Sequence, residues 1–342
     1  MRLARPTLGQ RRSDASKGLR RCAWTAGLTL HLAAVSAAAQ AVEWVGTRAL
    51  GMAGAFVAVA DDTTAIYWNP AGLAAGPIFG VAIDVATMGE PGGRGTPERD
   101  EGLDGRGAFA GASTLPIGVA YYRLRSSGAA PLEDGGTGRL STLETRHLAV
   151  ALVQSLGAAV TVGAALKWVH GEAATGTSSG PPADWLDEAR ALDRQGSDTF
   201  DLDVGVTATA GRAKFGLTGR NLRQPSFAAR GGGRLELARQ VRAGVAWRAG
   251  PQVLLAADAD LTSTDTPLGE KRHVAAGVEW QVLPAALVLR GGARASTVDD
   301  AAPAGSAGLS AAVSDGLWLD AQITLGAARG SASWGVAGRL AF

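Results

Sequence analysis

From about residue 78 to the C-terminus, apolar side chains alternate with polar or small ones. Because successive side chains of a β-strand point to opposite faces, this period of two predicts strands with one apolar face. The alternation persists for about ten residues at a time, which suits a tilted membrane crossing and exceeds the usual soluble strand. In segment 200–208, the apolar positions are Phe200, Leu202, Val204, Val206 and Ala208, and those between them are Asp201, Asp203, Gly205 and Thr207.

The alternating segments are joined by connections that are short and long in turn. Short turns at one end and long loops at the other are typical of outer-membrane barrels, in which the short turns face the periplasm. The sequence therefore predicts an all-β fold over residues 78–342: a membrane-spanning, antiparallel up-and-down β-barrel of about fourteen strands, with an even count. The predicted strands span residues 78–88, 106–113, 117–125, 145–155, 159–170, 199–210, 213–221, 238–248, 252–262, 272–281, 285–295, 305–313, 317–326 and 332–342.

The last predicted strand ends in an aromatic residue. Phe342 closes an alternation that runs back through Leu340 and Val336 to Trp334. A terminal Phe on such a strand is the usual signal for the barrel-assembly machinery. We therefore predict that Phe342 is an assembly signal and that this machinery is a partner of the chain.

The first 39 residues have a different composition. Seven basic residues, an apolar run from Ala23 to Val35 and the small residues Ala37–Ala39 indicate a cleaved secretory signal peptide over residues 1–39. The whole chain has 33 Lys and Arg against 31 Asp and Glu; without this segment, which holds seven bases and one acid, the balance is 26 against 30, a net charge of −4. That balance argues against nucleic-acid binding. We expect export and insertion into the outer membrane.

Several other classes of protein are excluded. Beyond residue 40 there is no apolar run of about 18 residues, which excludes helical membrane spans. The only cysteine, Cys22, lies in the predicted signal peptide, so the processed chain forms no disulfide. Metal-ligand spacing and nucleophile motifs are absent. We expect no enzyme activity, no catalytic residue, no metal and no cofactor.

The segment that precedes the first strand predicts a plug inside the barrel. Small residues, including Gly51 and Gly54, flank Phe56 and allow close packing inside a barrel. Asp61 and Asp62 can cap a short helix that runs towards Trp68.

Asn69-Pro70 is expected to end that helix, because a residue before proline avoids helical geometry. Gly72 is expected to free the chain to enter the first strand. Asp61, Asp62 and Asn69 either take part in gating or only help the segment to close the barrel and fold.

Segment 46–73 resembles the start of FadL-type outer-membrane transporters for long-chain fatty acids and other hydrophobic molecules. It is equally similar to PorV-type barrels of a protein-secretion system and to the conjugation-associated proteins related to both. The resemblance implies a fourteen-strand barrel with an N-terminal hatch, here residues 40–77, whose movement opens a lateral path. The matching positions are Gly46, Arg48, Ala49, Gly51, Gly54, Phe56, Ala60–Asp62 and Trp68–Leu73.

The long loop 171–198 contains an amphipathic segment. Trp185, Leu186, Ala189 and Leu192 fall on one helical face. A helix over the barrel mouth could form a hydrophobic groove in which Trp185, Leu186 and Leu192 capture a ligand. The alternative is that this helix merely packs on other loops.

The polar faces of the strands carry charges of both signs. We expect these charges to pair across strands, which argues against a uniformly apolar tunnel. They are Lys167, Asp201, Asp203, Arg242, Arg248, Asp258, Asp260, Glu279, Arg290, Arg294 and Asp320.

Two functional hypotheses follow from the sequence. The first is an outer-membrane channel for fatty-acid-like or hydrocarbon molecules, gated by the hatch. The second is a PorV-like interaction protein of a secretion or conjugation system that transports no small molecule. Membrane lipid is a partner in both hypotheses, a hydrophobic ligand only in the first, and we expect a monomer.

Overall fold

The computed structural model describes residues 36–38, 44–90, 102–132, 136–266, 269–299, 301–327 and 331–342. The predicted signal peptide lies outside these residues, except for Ser36–Ala38, which pairs in parallel with Arg234–Glu236. Among the described residues, no helix is long and apolar enough to cross a membrane.

Fourteen strands form a closed antiparallel barrel in which each strand pairs with its neighbours in the sequence. The last strand returns to the first, and Phe342 and Phe79 exchange backbone hydrogen bonds of 2.9 and 3.1 Å at this seam. The strands are β1 Phe79–Glu90, β2 Gly102–Thr114, β3 Ile117–Pro131, β4 Gly138–Leu156, β5 Val160–Ser178, β6 Gln195–Ala210, β7 Ala213–Arg220, β8 Gln240–Arg248, β9 Val253–Asp260, β10 His273–Leu283, β11 Leu287–Ser296, β12 Ala304–Ser314, β13 Leu317–Gly326 and β14 Ala332–Ala341.

The outer face of the barrel is apolar, as the alternation predicts. Ile83 and Leu166 are 62% and 58% exposed, and Trp168, Trp247 and Trp280 also point outward. A contiguous apolar surface of this kind is rare on soluble monomers and is suited to lipid.

Five strands are longer than predicted at the long-loop end. Strand β4 begins at Gly138 instead of 145, and β5 ends at Ser178 instead of 170. The alternation lapses there because both faces of this extended wall are covered. Leu140 packs against a helix outside, whereas Leu143 packs against a loop hairpin inside.

The helix expected over the mouth lies instead on the outer face of the extended wall. Helix α3, counted after two short helices of the N-terminal segment, spans Pro182–Ala191. Trp185 packs with Ala129 and Leu140, and Leu140 shares its face with the exposed Leu148 and Leu152. An amphipathic sequence specifies which side of a helix is buried but not which surface covers it. The predicted position of this helix over the mouth is therefore wrong.

The inner face of the extended wall is occupied by the loop between β7 and β8. There, Ser226–Ala228 pairs with Arg234–Glu236 in a hairpin. Phe227 is fully buried and packs with Leu143 and Val169. This hairpin lies against the inner face of β4 and β5 at the long-loop end of the barrel.

Residues 44–77, which we call the hatch, lie inside the barrel. The hatch contains helix α1, Thr47–Leu50, helix α2, Ala65–Trp68, and a 3₁₀ helix, Pro70–Ala75. It supplies most of the main hydrophobic cluster of the protein.

Glycines on the inner faces of many strands allow the hatch to approach the wall. A Cβ atom on Gly163 would lie 2.4 Å from the backbone nitrogen of Ala71. The same holds within the hatch, where a Cβ on Gly72 would lie 2.1 Å from the carbonyl oxygen of Ala60. Gly72 is therefore required for close packing, and not, as expected, to let the chain enter the first strand. Wall glycines in contact with the hatch include Gly105, Gly107, Gly118, Gly163, Gly216, Gly277, Gly292, Gly308 and Gly335.

We predict that Gly163→Ala destabilises the barrel, because the added methyl group meets backbone that cannot move cheaply. Such overpacking costs about 1–3 kcal/mol. The measurement is the temperature at which the folded band is lost in semi-native electrophoresis. Gly338→Ala is the matched control, since nothing lies within 4 Å of its Cβ position. Equal melting temperatures for the two variants would contradict the close fit.

Candidate functional site

Two carboxylates from the barrel wall bind backbone N–H groups of the hatch. Asp84 of β1 accepts hydrogen bonds from Gly46 and Thr47 at 3.2 and 2.5 Å, at the start of α1. Asp258 of β9, on the far side of the barrel, accepts from Phe56 and Val57 at 2.8 Å each. Hydrogen bonds to charged acceptors are roughly twice as strong as neutral ones, so these contacts fix the hatch between opposite walls.

Arg48 of the hatch forms the third link to the wall. Its Nε and Nη2 donate to both oxygens of Glu279 of β10, at 2.9 and 3.2 Å, and its Nη1 donates to Asp61 and Asp62 within the hatch. Glu279 also accepts from Arg290 at 2.8 Å. A buried guanidinium is therefore surrounded by three carboxylates.

Arg48 and Asp62 hold their charges through this contact. Burial alone would lower the pKa of Arg48, but the carboxylates of Asp61, Glu279 and Asp62 raise it well above its ordinary value. Burial raises the pKa of Asp62, and the positive charge of Arg48, with hydrogen bonds from Thr64, more than offsets this, so the net pKa is lowered. Both groups remain charged at neutral pH.

Asn69 joins two parts of the hatch to each other and to the wall. Its Nδ2 donates to the carbonyl oxygens of Val57, at 2.9 Å, and of Val206 in β6, at 3.3 Å. Its Oδ1 accepts from Ala71, which caps the 3₁₀ helix that begins at Pro70. The expected end of the preceding helix at Asn69-Pro70 is confirmed.

Aromatic rings continue from the hatch to the wall. Tyr67 lies edge-on to Trp68, at 5.8 Å, and to Tyr122 of β3, at 5.5 Å. Tyr122 stacks on His147 of β4 at 4.3 Å, and the guanidinium of Arg220 lies 3.8 Å from the Tyr67 ring centre. The lumen beside the hatch is thus a mixture of aromatic and charged surfaces.

Charges on the inner wall pair across strands, as the sequence predicts. Lys167 contacts Asp201 and Asp203 at 2.7 and 2.6 Å. Arg242 contacts Asp260 at 2.7 Å.

The hatch residues expected as a site lie together inside the barrel. Gly51 packs on Gly308 of β12, and Gly54 has a φ of +88°, a conformation that favours glycine. Phe56, Trp68, Asn69 and Pro70 are buried in the lumen, while Asp61 is partly exposed.

The proposed capture residues are not near the hatch. Trp185 and Leu186 are 1% and 5% exposed on the outer wall, and Leu192 is partly buried beside them. The Nε1 of Trp185 donates to the carbonyl oxygen of Gly180 at 2.9 Å.

Two cavities lie next to the barrel wall, one beside the hatch and one at the long-loop end. A polar cavity of about 340 Å³ lies between the hatch and the β1–β14 seam at the short-turn end, and Arg48, Asp61, Asp62 and Arg339 line it. An apolar recess of about 680 Å³ lies at the long-loop ends of β10–β13. In the described part of the chain, no group of three or more acidic, His or Cys side chains could hold a metal ion.

Comparison with known proteins assigns the fold. The Ralstonia pickettii toluene transporter TbuX superposes with a TM-score of 0.60 at 14% identity, over 88% of this chain and 99% of that chain. The Pseudomonas putida toluene transporter TodX gives 0.55 at 13%, over 89% and 98%. A Pseudomonas aeruginosa FadL homologue gives 0.58 at 13%, over 89% and 98%.

Sequence comparison gives a partial match. A family model described as "F plasmid transfer operon, TraF, protein" matches residues 139–260. No curated protein matches the chain by sequence.

The fold defines a class: closed fourteen-strand β-barrels whose lumen holds an N-terminal segment. Within that class, the chain has the FadL-type fold, which confirms the resemblance inferred from segment 46–73. The expected count of fourteen strands is also confirmed.

We predict an acid-dependent loss of stability through Asp62. Because its pKa is lowered on folding, its contribution is complete above the unfolded pKa and is lost as the pH falls through the folded value, that is, below about pH 4. Melting temperature measured by tryptophan fluorescence should fall less steeply below pH 4 in Asp62→Asn than in the unmodified chain. Asp187→Asn, at an exposed carboxylate of α3, is the control and should not change the profile. Identical profiles for all three proteins would contradict the assignment.

Proposed function

We propose that the protein is an outer-membrane channel for hydrophobic small molecules and that the hatch is its gate. The observation that carries this proposal is a lumen filled by the N-terminal segment, which, apart from its chain connection to β1, is held to the wall by noncovalent contacts of Asp84, Asp258 and Glu279. A barrel of this size has an interior too wide for its own side chains to fill, so displacement of the hatch would leave a path.

The ligand that fits this lumen best is a hydrocarbon or fatty-acid-like molecule. The rings of Tyr67, Trp68 and Tyr122 are buried at the edge of the hatch and would present apolar surface to a ligand once the hatch moves. Solved structures of similar fold include a monoaromatic hydrocarbon channel and two toluene transporters. We propose the same class of cargo here and no enzymatic activity.

The membrane orientation follows from the connections. We propose that the chain is exported by its signal peptide and that the short-turn end faces the periplasm. Trp185, Leu186 and Leu192 hold α3 to the outer wall, so a role in ligand capture requires α3 to lift from β3 and β4.

A second function is favoured by the family match. Residues 139–260 cover nearly all of β4–β9 and the hairpin at the mouth, and the model that they match describes a plasmid-transfer protein. A barrel that stays plugged and presents an extended wall with α3 would suit a PorV-like interaction protein of a secretion or conjugation system.

Uptake of radiolabelled toluene or oleate by a deletion strain distinguishes the two functions. We expect the deletion to reduce uptake and the unmodified chain to restore it. Unchanged uptake of both compounds would contradict transport and favour the interaction protein.

Gating is tested by locking the hatch to the wall in the complemented strain. The hydroxyl oxygens of Thr63 in the hatch and Ser113 in β2 are 3.1 Å apart, so Thr63→Cys with Ser113→Cys places two thiols within reach of a disulfide. We expect the oxidised double variant to block uptake and a reductant to restore it. Each single variant is a matched control and should transport normally. Normal uptake by the oxidised double variant would contradict hatch gating while leaving transport intact.

A further inference from the structure

Two pairs of arginines face each other directly on the outer face of the barrel. Arg106 of β2 is opposite Arg125 of β3, and Arg123 of β3 is opposite Arg146 of β4. Like charges at directly opposed positions of antiparallel strands destabilise the pairing. The outer wall therefore carries an electrostatic cost unless an anion offsets it.

The residues that the structure describes supply only part of that compensation. Glu144, which is buried, accepts hydrogen bonds from Arg123 at 2.7 Å and from Arg146 at 2.9 Å, and Arg194 lies 3.7 Å from it. The side chain of Arg106 makes no hydrogen bond or ion pair with any residue that the structure describes.

We call these five side chains the arginine patch: Arg106, Arg123, Arg125, Arg146 and Arg194. In the described part of the chain, the carboxylates within or beside it are those of Glu144, Glu172 and Asp198, so the described patch has more positive than negative groups. The neighbouring Arg190 and Asp104 pair with each other at 3.0 Å.

The patch begins where the apolar outer face ends. Tyr121 of β3 and Leu148 of β4 lie two residues from Arg123 and Arg146, towards the short-turn end, and Trp168 of β5 is opposite Leu148. These three side chains are 49%, 46% and 44% exposed. The guanidinium groups of Arg123 and Arg146 are themselves exposed above this surface. A molecule that bound both the arginine patch and the apolar surface below it would have an anionic headgroup next to acyl chains.

We propose that the arginine patch binds the phosphate headgroup of an anionic lipid. Guanidinium groups bind phosphate oxygens through paired N–H donors, and aromatic side chains below them contact acyl chains at the membrane boundary. A free anion would use the arginines but leave the apolar surface beneath them uncovered. This proposal rests on insertion of the barrel in a bilayer and is independent of transport and of hatch movement.

The variant that tests it removes one arginine from each opposed pair. Arg106→Gln with Arg123→Gln leaves Glu144 bonded to Arg146, so no buried carboxylate loses all its partners. The matched control, Arg230→Gln with Arg234→Gln, removes two exposed arginines of the loop at the same end of the barrel.

Native mass spectrometry of the full chain in detergent, with added phosphatidylglycerol or phosphatidylcholine, measures lipid retention. We expect the unmodified chain and the control to retain phosphatidylglycerol preferentially, and the patch variant to lose on the order of tenfold in affinity for it. Equal retention of the two lipids by the unmodified chain would overturn the proposal, as would equal retention by the patch variant. Displacement of the lipid by millimolar inorganic phosphate would show a free-anion site instead.

The change in melting temperature on addition of lipid provides a second measurement. It distinguishes loss of lipid binding from failure of the variant to fold. In zwitterionic detergent the melting temperature of the patch variant is the baseline, to which relief of like-charge repulsion and loss of the Arg123–Glu144 hydrogen bond contribute with opposite signs. Addition of phosphatidylglycerol should raise the melting temperature of the unmodified chain and the control, but not that of the patch variant. A rise of equal size in all three proteins would contradict a specific lipid site.

Discussion

Buried backbone N–H groups of the hatch need acceptors, and the barrel wall supplies them as carboxylates. The hatch begins and turns within the lumen, where unpaired amides are costly. Asp84 and Asp258 meet this need from opposite sides, and Glu279 holds the guanidinium of Arg48. Because all three carboxylates belong to strands, the register of the closed barrel determines where the hatch lies.

The same contacts set the conditions for movement. A hatch that leaves its place exposes Asp84 and Asp258 and separates Arg48 from Glu279, and breaking one buried ion pair costs about 3–5 kcal/mol when the remaining charge stays dry. Water that enters the opening would solvate these groups and lower that cost. The polar cavity beside Arg48 and Asp61 at the short-turn end is the nearest described space from which such water could enter. Under the proposed gating, contacts of this kind would keep the hatch closed at rest and leave its opening reversible.

Much of the barrel could be predicted from the sequence, because the period of two reports which side of the wall faces outward. All fourteen strands were found within a few residues of their bounds, except at the long-loop ends of β2–β6. The signal fails there for a physical reason: between Leu140 and Thr145 the hairpin covers one face and α3 the other, so apolar and polar positions no longer alternate. The position of α3 could not be predicted either, since its apolar face fits any apolar surface of the right shape.

For the hatch, the sequence specified local roles but not partners. Asn69-Pro70 was expected to end a helix and does so, whereas the bonds of Asn69 to Val57 and Val206 depend on the tertiary arrangement. Asp84, Tyr122 and His147 were missed because isolated residues within strands carry no motif. Arg48 belongs to the matching segment, but its partner Glu279 is 231 positions away, and only the strand register brings them together.

The central claim, that the hatch is what closes the lumen of a membrane-spanning barrel, is tested most directly by single-channel conductance in planar bilayers. We expect the unmodified chain to insert and pass almost no current. We expect the triple variant Asp84→Asn, Asp258→Asn and Glu279→Gln, which weakens the three carboxylate contacts between the wall and the hatch, to show frequent openings of high conductance. If the triple variant inserts stably and remains as closed as the unmodified chain, the hatch is not held by these carboxylates and the account is contradicted.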